Sequence, residues 1–266
     1  MDVRIRLFAG LRERAGADEL VLDGVPDGTS VGELKAELSR RYPALGDLTG
    51  VAGVVGTAYV PASRPLVPGE VVALLPPVSG GAPPDPSEPP GSEEQAPEQV
   101  PEQVQDRALR AGLFELTPEP LDPGALQARL VHPSAGAIVL FTGTTREANR
   151  GQDVVCLDYE AFHEMAGPEM ARIFEECRAR YGEAGTEPPP TDALGGPGGR
   201  TLRMLCVHRT GKVGVAEPSV VVGVSSPHRD TAFLAARFLI DALKARLPVW
   251  KREVYGDGHH WIGERS

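Results

Sequence analysis

Cysteine is scarce, with Cys156, Cys177 and Cys206 the only three in 266 residues and no Cys-x-x-Cys pair among them. So odd and scattered a set excludes a disulfide framework and implies reduced thiols, packed as small hydrophobes in a cytoplasmic protein. Aromatic residues are also few, at 5%, although 41% hydrophobic content still supports real cores. No apolar run approaches the roughly 18 residues that a membrane helix needs. The opening MDVRIRLFAG alternates charged and apolar residues, which is the pattern of a strand and not of a secretion signal. Basic charge is in no excess, since 27 Lys and Arg stand against 37 Asp and Glu. That balance excludes an obvious partner in nucleic acid or an anionic membrane.

The acidity is unevenly spread. Residues 1–81 carry 8 basic and 10 acidic side chains, and residues 107–266 carry 19 and 20. Between them, residues 82–106 carry 7 acids, 7 prolines and no base. This segment, APPDPSEPPGSEEQAPEQVPEQVQD, buries too little apolar surface to offset its ordering entropy, and it is expected to be a disordered linker. The chain therefore reads as a domain over 1–81, a linker over 82–106 and a second domain over 107–266.

In the first domain, VRIRLFAG (3–10) and DELVLDG (18–24) alternate as half-buried strands. Ser30-x-x-Glu33 is a capping box opening a helix that puts Val31, Leu34 and Leu38 on one face, with Pro43 as its stop. GVVGTAYV (53–60) and GEVVALLP (69–76) are read as two further strands. This order predicts a helix packed on one face of a mixed sheet. In the second domain, GAIVLFTG and VVCLDYEAF are expected strands flanking a polar loop, TTREANRGQD. A helix follows, with Met170, Ile173, Phe174, Cys177 and Tyr181 at helical spacing, and then a Pro/Gly-rich surface insertion over 183–200. TLRMLCVHR and PSVVVGVSS are strands, and residues 229–247 form the longest helix, ended by Pro248. Its apolar residues cover more than one stripe, which fits deep burial or a subunit contact.

Basic residues gather near element ends of the second domain: Arg146, His228-Arg229, Lys244, Lys251-Arg252 and Arg265. His228-Arg229 ends a strand and starts a helix, where unpaired backbone N–H groups favour anions. Lys244 and Lys251 flank the turn at Pro248, so both amines are expected to face one pocket. A convergent Arg, His and two Lys suit a small anion such as a phosphate. Other candidates lack support: TGKVGV has no nucleotide-loop spacing, His259-His260 lacks further metal ligands, and Ser225-Ser226 lacks a nucleophile-elbow context. No metal or cofactor is expected.

These residues carry a resemblance. LFAGLRERAG, LVPGEVVALLPPVSGG and the strand–helix–strand order resemble the small subunit of molybdopterin synthase, a ubiquitin-like β-grasp sulfur carrier whose last glycine becomes a thiocarboxylate. The same motifs also resemble the sulfur carrier of the thiamine pathway. FTGTTREANRG, VHRTGKV, SPHRDTAFLAARFLIDALKARLPVWKRE and HWIGERS are similar to the large subunit of molybdopterin synthase, with its α/β-hammerhead-type fold. The resemblance implies an α+β chain that transfers sulfur to cyclic pyranopterin monophosphate, giving the molybdopterin dithiolene. By position it implies Lys244 and Lys251 as the catalytic pair, with Gly81 as the sulfur-bearing terminus. It also implies Arg146, His228, Arg229 and Arg265 as the anion-binding set and Phe141 as a pocket wall. Many relatives have Met four residues before the helix lysine, where Ile240 stands here. A frequent Asn of the carrier's third strand is Gly56 here. The partners expected are an adenylyltransferase/sulfurtransferase that activates Gly81, a processing protease and a second copy of the C-terminal domain.

The chemistry fits the residue types. A thiocarboxylate needs no base to attack, but the departing phosphate charge must be stabilised. Arginine suits the fixed phosphate, and a lysine crowded by other cations can release a proton near neutrality. Glycines lacking Cβ let Ser79-Gly80-Gly81 enter a narrow slot. In the continuous chain the Gly81 carbonyl is an amide to Ala82 and cannot be adenylated, so cleavage there is expected, next to an extended linker open to proteases. Two other readings compete: a non-catalytic carrier or modifier fused to a docking module, and a plain phosphate-ligand-binding protein. The first predicts that Lys244 and Lys251 are dispensable, and the second predicts the same of Gly80-Gly81.

Overall fold

The structure, a computed structural model, describes residues 1–77, 112–133, 135–149, 151–182, 202–256 and 258–262. The expected linker, both of its borders, the 183–200 insertion, Gly81 and Arg265 lie outside the described residues. Residues 1–77 and 112–260 fall in two separate compact units.

In the first unit, β1 (Val3–Leu7) pairs with both β2 (Glu19–Leu22) and β5 (Val71–Leu75), while β3 (Ala52–Val55) links β5 to β4 (Ala58–Val60). The five strands are ordered β2-β1-β5-β3-β4, with β1 and β5 parallel and the other pairs antiparallel. Helix α2 (Val31–Arg41) packs Val31, Leu34 and Leu38 against Ile5, Leu7, Val72 and Leu74. Its start is the expected capping box: the Ser30 hydroxyl accepts from the Glu33 N–H, and the Glu33 carboxylate accepts from the Ser30 N–H at 2.8 Å. Gly53 permits this packing, because a Cβ there would stand 2.7 Å from Val31 Cγ1. Together these make a β-grasp fold. Its central strand β5 is almost wholly buried up to Leu75, so the chain leaves the sheet from a rigid base.

Two expectations are corrected here. The strand over 3–10 stops at Leu7, and Ala9–Ala15 forms a short helix, α1, ended by Gly16 at φ +66°. The single strand over 53–60 is a hairpin, β3 and β4, joined at Gly56 and Thr57. Gly56 has φ +62°, a left-handed conformation that Asn tolerates best after Gly. The position is therefore a turn residue.

In the second unit, one sheet has the order β6-β10-β12-β7, built from Leu113–Thr117 (β6), Arg203–Arg209 (β10), Pro218–Ser226 (β12) and Ala137–Thr144 (β7). Helices α4 (His163–Tyr181) and α5 (Arg229–Arg246) cover one face. There Met170, Ile173, Phe174, Cys177, Ala235, Ala236 and Leu239 pack on Met204, Cys206, Val222 and Val224. Short helix α3 (Pro123–Arg129) covers the other face with Leu126 and Leu130 against Leu205, Val207 and Val221. Coverage on both faces explains why PSVVVGVSS reads as a continuous apolar run. A second sheet has the order β11-β9-β13-β14, from Gly211–Gly214 (β11), Gln152–Ala161 (β9), Val249–Tyr255 (β13) and Gly258–Ile262 (β14), and β8 (Ala148–Asn149) also pairs with β9. The polar loop 144–153 thus contains a small hairpin, and TGKVGV holds a strand. Among the described residues no helix is long and apolar enough to cross a membrane. Cys177 and Cys206 are buried in the core, where burial pushes both thiols up to about 12, while Cys156 on β9 is half-buried.

Candidate active site

Arg146 stands just beyond β7, where the chain is fixed by backbone hydrogen bonds from Thr145 N–H to Glu217 O and from Ala216 N–H to Thr145 O. The β8–β9 hairpin then folds Asn149 inward, with Gly151 at φ +82° in its turn. Along β13 the side chains alternate, so Lys251, Glu253 and Tyr255 share one face. Across the sheet these positions pair with Tyr159, Leu157 and Val154 of β9.

Glu253 is the hub of this face. Its carboxylate is 4% exposed, and Oε2 accepts from Asn149 Nδ2 at 2.6 Å and from the Tyr255 hydroxyl at 2.5 Å. Oε1 faces Lys251 Nζ at 3.6 Å. On the far side, Arg146 Nη2 donates to Asn149 Oδ1 at 3.4 Å. Burial alone would raise the Glu253 carboxyl pKa, but the donors from Tyr255 and Asn149 and the Lys251 charge outweigh it and hold it below the ordinary value. Lys251 thus stands beside a carboxylate, which corrects the expectation of a lysine crowded by other cations.

Lys244 lies exposed in the last turn of α5, and the turn at Pro248 joins it to β13. That helix end is clamped: Arg246 Nε donates to buried Glu169 at 2.7 Å, and Nη1 donates to Glu176 at 2.7 Å. Phe141, on β7, is half-buried on the helix-covered face with Tyr159 and Ile240. Ile240 is half-buried against the same apolar cluster.

His228 and Arg229 are placed elsewhere. His228 is the N-cap of α5, and Arg229 is its first residue, exposed beside Asp230. At 1.5 Å rise per residue, Arg229 and Lys244 are separated by about 22 Å along the helix. The strands agree. Arg146 follows Thr144, which pairs with Pro218, whereas His228 follows Ser226, which pairs with Ala137. Seven residues of strand separate those ends by about 23 Å. The residues read from the sequence as one convergent pocket thus lie toward two ends of the chain: Arg146 and Lys251 are linked through Asn149 and Glu253 at one, Lys244 is in the last turn of the helix that leads into β13, and His228 with Arg229 stands at the other. Asn149 and Glu253 went unnoticed in the sequence. The signal for Glu253 was Lys-x-Glu-x-Tyr at strand spacing.

The chain is thus of the class that joins a β-grasp unit to an α/β unit, the latter with Lys251, Glu253, Asn149 and Arg146 in one linked cluster. The family described as "MoaE protein" matches residues 116–246, and the "ThiS family" matches residues 5–81. A molybdopterin synthase catalytic subunit from Culex quinquefasciatus is 42% identical over 150 residues, covering 56% of this chain and 85% of that protein. One from Thermoplasma volcanium is 38% identical, covering 54% and 93%. Among solved structures, molybdopterin synthase from Staphylococcus aureus aligns with 57% of this chain and 97% of its own, at 30% identity and a TM-score of 0.48. The chain belongs to the molybdopterin synthase catalytic-subunit family, sulfur-transferring enzymes of molybdenum cofactor biosynthesis, and it carries a ThiS-family sulfur-carrier domain in the same polypeptide.

Proposed function

We propose that this chain supplies both halves of molybdopterin synthase, moving sulfur from a Gly81 thiocarboxylate to cyclic pyranopterin monophosphate in the cytoplasm. One observation carries the reading: a carrier sequence matched as far as Gly81 and a catalytic-subunit sequence lie on one polypeptide. The thiocarboxylate sulfur attacks a pterin side-chain carbon, forming a C–S bond. A C–O bond to the cyclic phosphate breaks, and the electron pair goes to phosphate oxygen. Arg146 receives that charge, and the ammonium groups of Lys244 and Lys251 stabilise it and hand on protons. Water then cleaves the acyl–sulfur link and returns Gly81 as a carboxylate, ready for reactivation by an adenylyltransferase/sulfurtransferase. Phe141 walls the pocket, and Arg265 contributes a further cation.

Activation needs a free Gly81 carboxylate, so a protease cuts between Gly81 and Ala82 before the first turnover. The C-terminal domain works as a dimer. Phe233 and Leu234, 63% and 54% exposed, lie in the turn of α5 next to His228 and Arg229. A second copy is what brings a His228 and an Arg229 toward the Arg146–Lys251 half-site, completing an anion pocket that one chain leaves divided.

The test is product formation from cyclic pyranopterin monophosphate with an activating enzyme and a sulfur donor present. Lys244→Ala and Lys251→Ala are each expected to lower turnover by at least 100-fold, roughly, while the fold survives. Deleting Gly80-Gly81 abolishes it. Intact mass should show a species ending at Gly81. A full-length chain that makes molybdopterin efficiently with no such species refutes the cleavage step.

A further inference from the structure

We infer that Asn149 is a positioning residue for sulfur transfer, holding Lys251 in register with Arg146 by means of Glu253. The inference rests on the reading of Lys251 as catalytic. A carboxylate only accepts hydrogen bonds and a guanidinium only donates them, so the Asn149 amide has one consistent orientation. Its Nδ2 donates to Glu253 Oε2 at 2.6 Å, and its Oδ1 accepts from Arg146 Nη2 at 3.4 Å. Asn149 and Tyr255 together fill Oε2, which leaves Oε1 as the oxygen that meets Lys251 Nζ at 3.6 Å. One amide therefore fixes which carboxylate oxygen the lysine faces. The same amide ties the loop carrying the anion-binding arginine to the strand carrying the lysine.

No shorter or charged side chain reproduces this. Alanine removes both bonds and frees the carboxylate to rotate. Aspartate keeps the shape but loses the donor and sets a second carboxylate against a buried one.

The experiment measures kcat and KM for cyclic pyranopterin monophosphate with the processed protein, its carrier thiocarboxylated, for Asn149→Ala, Asn149→Asp, Lys251→Ala and the double variant Asn149→Ala/Lys251→Ala. Asn149→Ala is expected to lower kcat about tenfold with KM within about twofold, and Asn149→Asp at least as much. The double variant should fall within about twofold of Lys251→Ala alone, because a residue acting through Lys251 has nothing left to position. Near wild-type kcat in Asn149→Asp, or full multiplication of the two losses, overturns the inference while leaving Lys251 catalytic. Wild-type turnover in Lys251→Ala overturns both. A thermal melt of Asn149→Asp confirms that the isosteric variant is folded.

Discussion

His208 is buried in β10, edge-on to Tyr159 with ring centroids 4.9 Å apart, and its Nδ1 lies 2.7 Å from the Arg209 carbonyl oxygen. A carbonyl accepts only, so the ring carries a proton on Nδ1. Burial pushes its pKa down to about 4 from the usual 6.5, against a small opposing pull from that carbonyl. The unfolded chain therefore takes up a proton as pH falls through 6.5, and the native state does not until about 4. Stability is whole above the upper value and drains between the two, by an amount on the order of 3 kcal/mol. Urea denaturation from pH 7 to pH 4.5 should show that loss in the wild type and a flatter dependence in His208→Gln. Equal slopes in the two proteins would mean that His208 takes up its proton at the same pH in the native and unfolded states.

The elements most legible in sequence were those whose own residues decide them. Helix α2 announces itself by Ser30-x-x-Glu33 and ends before Pro43, and α5 by its apolar spacing and Pro248. The β3–β4 hairpin was hidden because Val-Val-Gly-Thr-Ala-Tyr-Val reads as one apolar run, broken only by Gly56. Helix α1 was missed because its Gly10 argues against a helix that tertiary burial nonetheless enforces. The site divided in the same way. Residue types picked out Arg146, Lys244 and Lys251, but only strand register shows that His228 and Arg229 stand at the opposite end of the sheet. The clamp between α4 and α5 was equally invisible, since Glu169 and Arg246 are 77 residues apart. Arg246→Met strands the buried Glu169 carboxylate with Arg172 alone and should cost about 3 kcal/mol. Replacing both partners, as Glu169→Met/Arg246→Met, should recover at least half of that, because the buried carboxylate is gone and the side chains that lose a partner, Arg172 and Glu176, reach solvent. Chemical denaturation of the three proteins checks it.

At the scale of the molecule, the two half-sites create a geometric demand. Arg146 and Lys251 stand together through Asn149 and Glu253, while His228 and Arg229 of the same chain remain about 20 Å from Arg146. If they bind the same substrate, they do so from another copy. That arrangement makes an unusual prediction for two dead variants. In a Lys251→Ala chain the lysine half-site is lost but His228-Arg229 is intact, and in an Arg229→Ala chain the reverse holds. Mixing them as dimers regenerates one site with both halves native and leaves the other doubly damaged. With random exchange, half the dimers are mixed and each has one working site, so activity should rise to about a quarter of wild type from two nearly inactive preparations. Phe233→Asp in either chain should remove that recovery by blocking association, visible as a monomer in sedimentation. If instead each site is built within one chain, the mixture stays as inactive as its parents. The Arg229 half-site would then serve some step other than holding this substrate.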